Sequence, residues 1–210
     1  MMTSRSIRTL TAVALALLFT MSSASDAAAQ PIPAGAAFQV HTYTSGRQQY
    51  PVVAMQPGDG FVVVWRYRPS GLGFPESRVA ARLFDDEGAT LGPQFDVASV
   101  TDPYHVRPPD VSTAADGSFV VAWSESVAPA AGDSFEVLAQ RYDATGTMIG
   151  TQFRVNSYTT GWQSSPSIDH DGAGGFVVSW TSQGGQDGAG HGIFAQRFDG
   201  AGSTLAPSSR

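Results

Sequence analysis

FVVVW (residues 61–65), FVVAW (119–123) and FVVSW (176–180) are one five-residue block written three times, with tryptophans 58 and 57 residues apart. That regularity makes the 210-residue chain a threefold tandem repeat, an architecture in which each unit buries its apolar face on its neighbour. Other positions keep the same step. Phe38, Phe95 and Phe153 do so, as do Pro51, Pro109 and Pro166. Phe84, Tyr142 and Phe198 also recur, each followed by an aspartate: Asp85, Asp143, Asp199. Copies one and three share an approach segment, YTSGRQQYP (43–51) and YTTGWQSSP (158–166), which copy two replaces with TDPYHVRPP (101–109).

Within a unit, β-branched and aromatic runs bounded by turn residues predict strands. In copy one these fall at 52–55, 61–67, 78–84 and 94–98. In copy two they fall at 111–114, 119–124, 137–142 and 152–156, and in copy three at 167–169, 176–181 and 193–198. The turns DG at Asp59 and Asp116 supply the positive φ that hairpins need. The FVVxW strand is apolar on both faces and so belongs between layers. Ala81, Ala139 and Ala195 share one repeat position and leave room for a large neighbour, and Trp65, Trp123 and Trp180 are the matching knobs. These tryptophans are read as structural core, because a tryptophan inside an apolar strand is usually buried.

The expected fold is all-β: three tandem four-stranded antiparallel units, approximately residues 37–94, 95–152 and 153–210. Four strands make a propeller blade, and three blades make an incomplete ring, with trefoil-like closure as the alternative. Residues 1–29 read as a signal peptide: Arg5 and Arg8, an apolar run over 9–21 too short to span a bilayer, and Ala27 and Ala29 in small-x-small spacing. Residues 30–210 then form a single domain, exported to the periplasm or the medium.

Composition excludes several functions. There is no cysteine, so neither thiol chemistry nor a disulfide framework is available. All twelve basic residues are arginine, which rules out Schiff-base and phosphate-loop lysines. A net charge of −6 argues against nucleic acid and against anionic membrane surfaces as partners.

The chain resembles a family of bacterial exported repeats found in large secreted and surface proteins. Their units read VNxYTxGxQxxP, DGGFVVxW, a DGxGxG loop and IFAQRFDxxG. Copy three is nearest, with VNSYTTGWQSSP (155–166), GGFVVSW (174–180), QDGAGHG (186–192) and IFAQRFD (193–199). Copy one has LFD where AQRFD belongs, and copy two lacks the approach motif and the glycine loop. The resemblance implies a propeller-like fold, an extracellular location and association with adhesion. It implies no activity.

The expected function is therefore a non-catalytic binding or adhesion module for a glycan or extracellular protein. A structural or self-associating scaffold, or a piece of a larger surface protein, is the alternative, and a sialidase-like glycosidase ranks last. The candidate ligand contacts are Tyr43, Arg47, Gln48, Tyr158, Trp162 and Gln163, with Trp162 the sharpest because it stands among polar loop residues. No cofactor is expected. Asp187, in SQGGQDGAGHG (182–192), is a candidate calcium ligand, one carboxylate where oxygen-rich sites use several. Unfinished sheet edges would let two chains pair as a homodimer. No enzyme is expected: DGSFVVAW (116–123) matches the sialidase aspartate box SxDxGxTW poorly, and Glu76, Glu125 and Glu136 show no acid and nucleophile spacing. Arg141 and Arg197 are read as salt-bridged to Asp143 and Asp199.

Overall fold

A computed structural model describes residues 35–70, 77–100, 106–126 and 134–206, so the expected signal peptide lies outside the described residues. All twelve strands of the described residues belong to the unit Phe38–Arg210. The described residues form no helix. Runs of Val, Phe and Trp broken by Asp and Gly favour strands over helix at every step.

Four strands, β1 (Arg47–Met55), β2 (Phe61–Arg68), β3 (Ser77–Phe84) and β4 (Phe95–Val100), form one sheet in that order. The others are β5 (Asp110–Thr113), β6 (Phe119–Ser126), β7 (Phe135–Tyr142), β8 (Met148–Arg154), β9 (Trp162–His170), β10 (Phe176–Gln183), β11 (Gly192–Phe198) and β12 (Thr204–Leu205). They form an eight-stranded sheet in the order β12-β11-β10-β9-β7-β6-β5, with β8 also paired to β7. All of these pairings are antiparallel except β7 with β9, which meet in parallel at Phe135 and Trp162. Both sheets are open. The trefoil-like alternative is therefore corrected: no closed barrel forms, because β1 and β4 are the free edges of the first sheet.

The first strand of copies one and three is longer than predicted, because a bulge carries it past the proline. Tyr50 and Ser165, each preceding a proline, sit at φ 56°. The register of β1 on β2 shifts between Gln49 and Val52, and that of β9 on β10 shifts between Ser179 and Thr181. An inserted residue bends the strand and re-aims its side chains, which lets pairing continue to Arg47 and Trp162. Copy three also ends on a short fourth strand, β12, that the sequence pattern did not show.

The turn after the third strand is the same device three times. Gly88, Gly146 and Gly202, at φ 82°, 84° and 83°, donate to the carbonyls of Asp85, Asp143 and Asp199. Each aspartate carboxylate then accepts backbone N–H groups of its own turn, from Ala89, from Thr145 and Thr147, and from Ala201 and Ser203. The aspartates are turn formers, as their position implies. The salt bridge expected of Arg141 is corrected: its guanidinium donates to the carbonyl of Gly200, while Asp143 Oδ1 accepts from Thr145 and Thr147 of its own turn.

Strand alternation gives each FVVxW strand two apolar faces with different partners. On β6 and β7, Phe119, Val121, Trp123, Leu138 and Tyr142 pack with Val62, Val64, Val79 and Ala81 of β2 and β3. The reverse face, Val120, Ala122, Val137 and Ala139, packs with Phe176, Val178, Trp180 and Phe198 of β10 and β11. The tryptophan face of one copy thus rests on the alanine face of the copy before it. Trp123 and Trp180 are 0% and 5% exposed, and Ala81 and Ala139 are 0% exposed, so a large ring meets a small side chain at each of these two junctions. A phenylalanine from the fourth strand seals each: Phe95 lies 5.5 Å from Tyr142, and Phe153 lies 5.5 Å from Phe198, ring centre to ring centre. Full burial of such aromatics contributes about 2–3 kcal/mol each.

Candidate functional site

The three tryptophans occupy equivalent positions, yet their indole N–H groups are satisfied differently. Trp65 Nε1 donates to Gln48 Oε1 at 2.8 Å, and Trp180 Nε1 to Gln163 Oε1 at 3.1 Å. In each case the acceptor comes from the preceding strand, two residues upstream of the bulge. In the middle copy Val106 stands at that repeat position, and Trp123 Nε1 donates instead to Glu125 Oε2 at 2.8 Å. A carboxylate thus replaces an amide. Burial pushes the Glu125 carboxyl above its ordinary range, with the indole hydrogen bond opposing the shift.

Glu125 is not alone. Register places Glu136 directly across from it on β7, so both project from the same face of the β6–β7 hairpin. Opposed strand residues hold their Cβ atoms about 4.5–5.5 Å apart. Glu136 is buried, and its Oε2 accepts from Asn156 Nδ2, while Asn156 Oδ1 accepts from Val137 N at 2.8 Å. One buried amide therefore fixes the position of the glutamate.

Guanidinium groups gather at the same end of the strands. Arg66 Nη1 donates to Val106 O at 3.1 Å and Nη2 to Gln49 Oε1 at 3.0 Å, and the group lies 4.8 Å from the Tyr50 ring centre. Burial draws Arg66 below its ordinary range; the Tyr50 hydroxyl opposes this, and the neighbouring Arg68 and Arg107 add to it. Arg107 lies over the rings of Phe135 and Trp162, at 4.5 and 5.0 Å. Its backbone N donates to Ser124 O, and Val106 bridges to Glu125. Arg66 and Arg107 each keep a buried Nε–H without an acceptor. Among the described residues these two cations meet a carbonyl, an amide and ring faces. The bulge at Tyr50 places its ring under Arg66.

The six candidate ligand residues all lie at this end. Arg47 is the strand partner of Arg68 and joins the basic group. Trp162 is half-buried, under Arg107 and edge-on to Phe135 at 5.6 Å, so its loop position conceals a packed ring. Gln48 and Gln163 are committed to indoles, and Gln163 is fully buried. Tyr158 donates its hydroxyl to Gly184 O at 2.7 Å. Tyr43 is exposed and stacks on Tyr67 at 5.0 Å. Asp187 lies exposed in the loop between β10 and β11, at the same end of the strands, its Oδ1 accepting from Ala189 N. Among the described residues, the group of three acids close enough to share an ion is Asp85, Asp86 and Glu87, which does not include Asp187.

Sequence reasoning passed over Tyr50, Arg66 and Arg107, and set Glu125 and Glu136 aside. A signal for the last two was present: they lie symmetrically about the centre of the hairpin that joins FVVAW to VLAQRY. Linear spacing conceals pairing that a hairpin fold creates.

No family model and no curated protein matches the sequence. Among solved structures, a protein of unknown function from Dyadobacter fermentans superposes with a TM-score of 0.57 at 13% identity, covering 78% of this chain and 54% of that one. A Hadza microbial sialidase gives a TM-score of 0.57 at 12% identity, covering 75% of this chain and 36% of that one. An endo-arabinase from Bacteroides thetaiotaomicron gives 0.47 at 16% identity, covering 81% and 66%. This chain spans about half the length of the first and about a third of the second. The fold is thus β-propeller-like. The expectations of a non-catalytic binding or adhesion module, of a scaffold, and of no enzyme are corrected by this likeness to a sialidase. That reading rested on linear motifs, and a likeness of fold at 12% identity leaves none of them in the sequence. Among the described residues no helix is long and apolar enough to cross a membrane.

Proposed function

We propose that this chain is part of a glycoside-hydrolase-type propeller that cleaves a glycosidic bond in a glycan carrying an anionic group. The observation that carries the proposal is the Glu125–Glu136 pair on one hairpin face, beside the gathered Arg66 and Arg107. Hydrolysis at an acetal needs one carboxyl to give a proton to the leaving oxygen and a second to act as nucleophile or base. Glu125, whose proton is retained to higher pH by burial, is assigned the proton donor. Glu136, steadied by Asn156, is assigned the second role. Arg66, Arg107 and the rim arginine Arg47 would hold the anionic group, since guanidinium forks match carboxylate oxygens.

The strands group as three four-stranded antiparallel units, β1–β4, β5–β8 and β9–β12, each read as a propeller blade, the second and third meeting at the parallel pair of Phe135 and Trp162. With the basic and apolar N-terminal segment of the sequence, this reading places the activity outside the cytoplasm.

Chromogenic glycosides of neutral and acidic sugars test the activity, with the full chain beside Glu125→Gln and Glu136→Gln. Hydrolysis of an acidic-sugar glycoside is expected to fall about a hundredfold or more in each variant. Glutamine at position 125 still accepts from the Trp123 indole, so a thermal midpoint no lower than that of the wild type separates lost chemistry from lost structure. Absence of turnover on every glycoside, or equal rates in all three proteins, removes the proposal.

A further inference from the structure

The repeat supplies its own template for what covers its outermost sheet face. Val62, Val120 and Val177 are equivalent, at 0%, 3% and 36% exposed; Val79, Val137 and Ile193 are equivalent, at 0%, 0% and 76%. Ala195, equivalent to the buried Ala81 and Ala139, is exposed as well. The alanine face that carries a tryptophan face in the first two copies lies bare on β10 and β11. At the other end, the tryptophan face of β2 and β3, with Val63 and Trp65, is roofed by Phe38 and Val40, with Phe38 lying 5.6 Å from Phe84. Beside them a cleft of about 260 Å³ opens between Val40, His41, Gln48, Pro51, Val63 and Trp65.

Phe38 has a definite role by repeat position. Phe95 pairs with Ala81 and Phe153 with Ala139 as fourth-strand partners, and Phe38 is the same residue one period earlier. Among the described residues the matching edge of β11 at Ala195 has no such partner, because β12 pairs with Arg197 and Phe198.

We propose that a second copy of this chain docks head to tail. Its Phe38–Val40 segment would pair along β11 at Ala195, and its Trp65 face would cover Val177, Ile193 and Ala195. The contact is heterologous, so it must either close or polymerise. Two chains of three units each close with both junctions made, giving a six-unit ring. The proposal rests on the unit reading above and is independent of glycoside hydrolysis, so its tests use no substrate.

Sedimentation equilibrium of the full chain at micromolar concentration is expected to give a dimer mass. Ile193→Asp, at an exposed position, is expected to weaken association about a hundredfold by placing an unpaired charge in the junction, with the thermal midpoint of the monomer unchanged. The chain has no cysteine, so Phe38→Cys combined with Ala195→Cys gives a clean crosslink: oxidation is expected to yield a covalent dimer. Phe38→Cys with Met148→Cys, the latter exposed at the start of β8 in the middle copy, is expected to leave monomers. A monomeric wild type, a dimer indifferent to Ile193→Asp, or a ladder of higher crosslinked species would each overturn the closed head-to-tail dimer.

Discussion

The middle copy and its two flanking copies share a skeleton but not an end. All three bury a tryptophan on the second strand and need an acceptor for its indole. The flanking copies take the amides of Gln48 and Gln163 from the strand before, whereas the middle copy has Val106 there and uses Glu125 of its own strand. Two residues past the tryptophan stand Tyr67, Glu125 and Ser182, and opposite them Arg78, Glu136 and Gly192. In the first copy Arg78 is ion-paired to Asp96, a structural solution. In the middle copy the same two positions hold opposed carboxyls. Divergence within a repeat is where function can enter, because the scaffold positions are already supplied by the neighbours.

The sharpest break of this comparison is truncation of the tryptophans. Trp123→Ala is expected to cost about 3–5 kcal/mol, enough to unfold much of a marginally stable chain, measured by urea denaturation. Trp65→Ala should cost less, because its face borders an open cleft where Trp123 is enclosed on both sides. Equal losses would mean that the junctions do not matter.

Removing the acceptor is next in size. Gln163→Leu leaves the buried Trp180 indole N–H unsatisfied and is expected to lower stability by about 1–3 kcal/mol. Glu125→Gln restores to the middle copy the acceptor type of its neighbours and should change stability by less than about 0.5 kcal/mol near pH 4. If the two substitutions have equal effects, the acceptors are not equivalent.

A third test separates amide from carboxylate by pH. The folded Glu125 carboxyl titrates above its unfolded value of 4.5, so the folded state holds the proton more tightly. Stability from this group is present below the unfolded value and is lost as pH rises through the raised folded one. The difference in urea midpoint between Glu125→Gln and wild type is therefore expected to grow in favour of glutamine from pH 4 toward neutrality. A difference independent of pH would place Glu125 in ordinary solvent.

The smallest effect concerns the shared turn. Asp143, whose carboxyl the Thr145 hydroxyl and then backbone N–H groups hold below its ordinary range, contributes stability that is lost as pH falls through its depressed value. Asp143→Ala is expected to shift the urea midpoint less than Gln163→Leu does and to remove that acid dependence.

Much of the scaffold could be read without coordinates. The recurrence of FVVxW, the alanines and the aspartates that end the third strands named the core, the turns and the order of the strands. The reason is local: β-branched runs and Asp-Gly pairs bias φ and ψ within a few residues. What failed was whatever depended on which strand lies beside which. Trp162 looked like an exposed platform until Arg107 and Phe135, distant in sequence, closed over it. Gln48 and Gln163 looked like free amides until the indoles claimed them.

By itself the sequence determined a repeat, its period, its strand-and-turn grammar and the residues that must be buried, since burial follows from apolar pattern alone. Only the tertiary structure decided that Glu125 faces Glu136 and that Arg66 and Arg107 converge on the same end. Strand register and bulges act between segments, and their side-chain encounters exist only once the backbones have paired.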